Sequence, residues 1–146
     1  MKIYVTGLGV VSGIGIGVSE NIEALRQRKH GIGKVTLFPT ALDVPVSEVK
    51  RSNEELKQLI SLPPQRTVSR TALLGMIAAK EAMKDAGLTP PLRIGFISAT
   101  SVGGMDLSEH FYESFKKNPG QGRLREVISH DCGASTELIA SYLGIN

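Results

Sequence analysis

The stretch Val5-Thr6-Gly7-Leu8-Gly9-Val10-Val11-Ser12-Gly13-Ile14-Gly15-Ile16-Gly17 decides how the rest of the chain is read. Its glycines suggest a dinucleotide-binding loop. Such a loop needs Gly-x-Gly-x-x-Gly between a strand and a helix, so that the pyrophosphate meets the helix N-terminus. Here Ser12 stands at the third glycine position and Gly13 comes one residue late. Gly/Ile/Val alternation follows, and the first helix signal is Ser19. The segment either cradles a cofactor or builds a core, and the two readings give different proteins.

The chain has 146 residues, enough for one domain with its own core. Its 41% hydrophobic and 21% charged residues are those of a globular protein rather than a disordered one. The net charge of +3 is spread out. Arg26, Arg28, Lys29 and His30 end one expected helix, and Lys116 and Lys117 end another. Cations there complement the helix dipole, so they read as solvated helix ends, and no nucleic-acid partner is expected. The single cysteine, Cys132, excludes an internal disulfide and a Cys-based zinc site. The apolar run after Lys2 is broken by Thr6, Gly7, Gly9 and Ser12, unlike a signal peptide. No segment approaches the ~20 apolar residues of a membrane span. The expected location is the cytoplasm, with no membrane partner.

Working outward, residues 2–6 read as a strand through Ile3, Tyr4 and Val5. Ser19 reads as the N-cap of a helix closed by Gly31 and Gly33. Residues 34–38 read as a second strand, stopped by Pro39. Ser52-Asn53-Glu54-Glu55 is a capping box that starts a short helix. The strongest helix spans about residues 67–86, where Val68, Ala72, Met76, Ala79, Met83 and Ala86 draw one apolar stripe. Residues 71–79 carry no charge on any side and are expected to be enclosed by protein, more of it than 146 residues supply. Gly87 and Pro90-Pro91 end this helix.

Residues 93–100 read as a central parallel strand, because Ile94, Phe96 and Ile97 place apolar groups on both faces. Ser101-Val102-Gly103-Gly104 is a tight turn. Ser108 starts an aromatic helix with Phe111, Tyr112 and Phe115, and Ser135 caps a last helix with Leu138, Ile139, Tyr142 and Leu143 inside. The expected class is α/β, a mostly parallel sheet with helices on both faces. Three strands are few for such a sheet, and Asn146 falls where another strand is expected, so the domain reads as truncated, with exposed apolar surface.

Three segments carry a family resemblance: residues 5–12, the long helix from Ser69-Arg70-Thr71-Ala72-Leu73-Leu74 to Ala86-Gly87-Leu88, and Arg93-Ile94-Gly95-Phe96-Ile97 running into Ser101-Val102-Gly103-Gly104. A fourth, residues 135–145, is similar to the helix before the nucleophile strand. In this order they resemble the N-terminal half of a β-ketoacyl-acyl carrier protein synthase, a condensing enzyme of thiolase-like fold. Residues 39–65 and 110–131 depart from the pattern. The resemblance implies a thiolase-like half that pairs with a second half and forms a homodimer, with acyl carrier protein as partner and no cofactor. It implies a decarboxylative Claisen condensation, in which a cysteine takes the acyl group and basic residues stabilise the developing charge. The family's Thr-Ala-Cys-like turn lies beyond Leu143-Gly144-Ile145-Asn146, so the catalytic residues are expected outside this chain. A non-catalytic interaction module, or a subunit like a chain-length factor, is the alternative.

Val102 is the one residue carried over for substrate contact. It holds the apolar position of the turn that borders the acyl pocket in the family, and packing in a tight turn explains it equally well. Gly103 and Gly104 are explained by backbone geometry. His130-Asp131-Cys132 sets base, acid and thiol side by side, but triads assemble in space, so Cys132 reads as incidental. His30 reads as a helix C-terminal cap, and His110 as a first-turn residue. Three dispersed histidines make no metal site. A nucleotide binder further needs an acid after the second strand. Phe38-Pro39-Thr40 stands there, with Asp43 beyond a proline.

Overall fold

A computed structural model describes residues 1–89 and 93–145; Pro90-Pro91, read above as a helix stop, lies outside them. The strands are β1 (Val11–Ser12), β2 (Gly15–Ile16), β3 (Ile32–Gly33) and β4 (Val46–Ser47). The helices are α1 (Val18–Arg26), α2 (Asn53–Leu59), α3 (Arg70–Asp85), α4 (Met105–Lys117) and α5 (Cys132–Leu143).

Helix α3 is the centre. Ala72, Leu73, Met76 and Ile77 are buried on it and meet Leu56 of α2 and Ile139 and Leu143 of α5. Each of the larger ones, the leucines, isoleucines and methionine, contributes roughly 1.5–3 kcal/mol when taken out of water. Ser69 caps the helix, its Oγ accepting from Ala72 N at 3.2 Å, which starts it at Arg70 rather than residue 67. No residue from Thr71 to Ala79 is exposed, but only Ala72, Leu73, Met76 and Ile77 are buried and the other five are half-buried, so the expected enclosure is partial. The apolar surface lies elsewhere, at Ile3, Tyr4 and Val5 (86%, 71% and 80% exposed) and at Ile97 (97%).

The sheet differs from expectation. Among the described residues the ladders are two antiparallel pairs, β1 with β2 and β3 with β4. Residues 2–6 and 93–100 lie in no ladder. A central parallel strand needs hydrogen-bonded neighbours on both edges, and the described residues give neither segment one. The strand period is nevertheless present: from Arg93 to Thr100 odd residues are exposed and even ones half-buried, with Ile94 and Phe96 against the core. The second strand falls at Ile32–Gly33 instead of residues 34–38, because β4 pairs there.

Three helix starts also move. Helix α1 begins at Val18, since Gly17 at φ 93° is its N-cap and Asn21 N donates to Gly17 O. Helix α4 begins at Met105, one residue after Gly104, whose carbonyl accepts from Ser108 N. Helix α5 begins at Cys132, capped by Asp131, which leaves Ser135 buried inside the helix. The capping box is as read: Ser52 Oγ accepts from Glu55 N, and Glu55 accepts from Ser52 N at 2.7 Å. That backbone donor, with Arg51, holds the Glu55 carboxyl below its ordinary value.

The glycine-rich opening lies across the second half of α3. A Cβ on Gly7 would stand 2.2 Å from Ala82 O, and one on Gly9 would stand 1.9 Å from Ala78 O. Backbone thus meets backbone, and both positions require glycine. Gly9→Ala should destabilise the chain by about 3 kcal/mol, the upper end of an overpacking penalty, because the obstructing atom belongs to a helix. Gly95→Ala, whose Cβ meets nothing within 4 Å, should be nearly neutral. Urea denaturation of both variants checks the contrast.

Candidate functional site

Two places could hold a ligand, and the first is the glycine-rich loop itself. Several of its amides are already taken. Val10 N and Val18 N donate to the two oxygens of Glu81, at 3.0 and 2.7 Å, and Leu8 N donates to Asp85 at 3.0 Å. The hairpin is closed by Asn21, which accepts from Ser12 Oγ and donates to Gly15 O and Gly17 O. Where a pyrophosphate needs free N–H groups and positive potential, this loop has carboxylates. Asp43, the acid weighed for the ribose, pairs instead with Lys34 at 3.6 Å on the surface.

The second place is the turn before α4. Thr100 Oγ1 accepts from Val102 N and Gly103 N, at 3.2 and 3.3 Å, which folds the chain back. Gly103, at φ 51°, and Gly104 are buried against residues 129–132. Their Cβ positions lie 2.7 Å from His130 O and 1.9 Å from Ser129 O. Gly104 N donates to His130 O at 3.3 Å. Val102 projects from this turn 48% exposed, as a surface apolar group rather than a core one.

The turn therefore brings Val102 beside the His130-Asp131-Cys132 segment, which lies about 30 residues further along the chain. The three residues do not act together. His130 Nδ1 pairs with Ser108 Oγ at 2.8 Å, and Asp131 accepts from Gly133 N at 2.6 Å as the cap of α5. Cys132 is exposed, and among the described residues no hydrogen bond reaches its sulfur.

The other histidines are elsewhere. His110 lies past the first turn of α4, because that helix begins earlier than expected, and meets Glu126 at 3.3 Å. His30 does not cap α1: Arg28 N and Lys29 N donate back to Leu25 O and Ala24 O, so backbone closes that end. Lys117 reaches Glu113 at 2.6 Å and holds that carboxyl below its ordinary value. No group of three potential metal ligands exists among the described residues.

One feature the sequence hid is a groove of about 610 Å3 lined by Lys57, Arg66, Arg123 and Arg125 together with the carboxylates Glu54, Asp106 and Glu126. Its cations are scattered through the sequence, Lys57 on α2, Arg66 in the loop after it, and Arg123 and Arg125 at the Leu124–Glu126 turn that packs on α4. Among the described residues no helix is long and apolar enough to cross a membrane.

The fold centred on α3 is shared with known proteins. The N-terminal domain family of β-ketoacyl synthases matches residues 1–145, and the chain belongs to it. Nodulation protein E of Rhizobium meliloti is 30% identical over 153 residues, covering 99% of this chain and 37% of that protein. A 3-oxoacyl-[acyl-carrier-protein] synthase 2 of Coxiella burnetii is 30% identical over 122 residues, covering 77% of this chain and 28% of that one. Among solved structures, the ishigamide ketosynthase/chain length factor superposes with a TM-score of 0.73 at 25% identity, covering 97% of this chain and 36% of that one. The chain thus spans little more than a third, or less, of the length of these relatives.

The carboxylates under the glycine loop generate a test. Titration with NAD(P) should leave the melting temperature unchanged, whereas a ligand at 100 times its dissociation constant adds ~2.7 kcal/mol of stability. A saturable upward shift would overturn the assignment of the loop to the core.

Proposed function

We propose that this chain is the N-terminal part of a 3-oxoacyl-acyl carrier protein synthase that performs decarboxylative Claisen condensation of acyl and malonyl thioesters. The observation that carries the reading is the family match over residues 1–145, supported by a relative named for that reaction. The acyl thioester is attacked by a carbanion equivalent formed as malonyl loses CO2, and the oxyanion that develops needs preorganised donors. On this reading the acylated cysteine and the basic residues come from outside the 146 residues, and the chain alone carries out no condensation.

Within the chain, Val102 borders the acyl pocket. Its exposure on a turn whose backbone is fixed at Gly103 and Gly104 supports that role, since a rigid turn can gauge chain length. The parent protein is a cytoplasmic homodimer, and acyl carrier protein is its partner. Although Glu54, Asp106 and Glu126 share the groove, its exposed Arg66, Arg123 and Arg125 suit an acidic carrier surface, because complementary charge steers encounter. A second reading, a subunit that keeps the fold without the chemistry, is favoured by one finding: the solved structure it superposes on is a ketosynthase/chain length factor.

Condensation assays with acyl and malonyl carrier protein separate the two. The 146-residue chain should give no 3-oxoacyl product, and the protein continued through its own downstream reading frame should give it. Val102→Phe in that longer protein should shorten the acyl chains accepted. A downstream sequence with glutamine or alanine at the cysteine position, and no product, would favour the non-catalytic subunit.

A further inference from the structure

We propose that Ser108 and His130 form a nucleophile–base pair that takes an acyl group from an activated ester, independently of the condensation proposed above. Ser108 Oγ lies 2.8 Å from His130 Nδ1, within the distance over which an imidazole removes a hydroxyl proton. The pair joins two segments that are fixed against each other. Ser108 N donates to Gly104 O, Gly104 N donates to His130 O, and the close approach of Gly103 and Gly104 to residues 129–132 leaves no space for slippage. The imidazole is exposed and the hydroxyl half-buried, so an ester carbonyl can reach the oxygen. Met105 lies three residues before Ser108 on the same face of α4. It is 43% exposed and Val102 is 48% exposed, which gives a short acyl tail an apolar flank.

In the step, Ser108 Oγ forms a bond to the acyl carbon while its proton passes to His130 Nδ1. The bond from that carbon to the leaving oxygen or sulfur breaks, and the leaving group departs with the electron pair and recovers the proton from the imidazolium. The products are an acyl ester on Ser108 and a free alcohol or thiol. The turn's own amides are committed: Gly103 N to Thr100 Oγ1 and Gly104 N to His130 O. The pair therefore works by general-base assistance, an effect of about 10²–10⁴-fold. Cys132 is the rival nucleophile, exposed on the adjoining helix, and among the described residues no base is hydrogen-bonded to its sulfur.

The test treats the 146-residue chain with p-nitrophenyl butyrate, follows p-nitrophenolate release, and locates the adduct by peptide mass spectrometry. The expected result is a butyryl group on Ser108, lost in Ser108→Ala, formed at least tenfold more slowly in His130→Gln, and unchanged in Cys132→Ser. Acylation confined to Cys132 or lysines, no acylation, or a rate indifferent to Ser108→Ala would overturn the proposal. A second measurement does not depend on how Ser108→Ala folds. In Ser108→Cys the new thiol should react with iodoacetamide at least tenfold faster than Cys132 in the same molecule, and should lose that advantage when His130→Gln is added. Equal rates at the two thiols would also overturn it.

Discussion

The contact on which the structure depends is the one between the glycine-rich opening and the second half of α3. A chain without side chains at Gly7 and Gly9 comes down onto helix backbone, and the amides of Leu8, Val10 and Val18 are satisfied by Asp85 and Glu81. This fixes where β1 and β2 turn, and that fixes where α1 starts. Two carboxylates that serve three amides, two of them part-buried, hold residues 8–18 in one register. The charge on α3 that makes its second half amphipathic is therefore structural at two of its positions, Glu81 and Asp85. Lys80 and Lys84 remain exposed.

What the sequence made legible was whatever local chemistry sets. The capping box at Ser52 and Glu55, the uncharged stretch from Thr71 to Ala79 and the left-handed stop at Gly87 all depend on neighbours within a turn or two. Helix starts were less legible where the cap came from elsewhere. Ser19, Ser108 and Ser135 are good capping residues, yet Gly17, Gly104 and Asp131 hold the N-cap positions, and of these only Asp131 caps with its side chain. In the first two cases the chain is already bent by contacts outside the helix, Glu81 at Val18 and residues 129–130 at Gly104. Strands were the least legible. A ladder is made between distant segments, and the alternation at residues 93–100 records which side faces the core without naming a partner.

The edge of the molecule shows the same division. Val102 was legible as the apolar residue of a Ser-x-Gly-Gly turn. That His130 would be brought to Ser108, and not to the adjacent cysteine, was hidden, because 22 residues separate them and the packing of Gly104 on Ser129 joins them. The arginine-lined groove was hidden for the same reason. Family membership gives the fold its place, and the chemistry of the edge depends on contacts that a walk along the chain does not reveal.

The joint between the glycine loop and α3 has a consequence for how this chain tolerates change. It is made of main-chain atoms, which every residue carries, together with two missing Cβ atoms and two carboxylates. The side chains of Leu8, Val10 and Ala82 contribute nothing to its hydrogen bonds. A large share of the substitutions along both segments leaves the joint as it is, so the architecture can persist while most of its letters drift. The same joint has no gradual failure: a single methyl group at Gly7 or Gly9 meets a helix carbonyl, and nothing nearby can be repacked to make room.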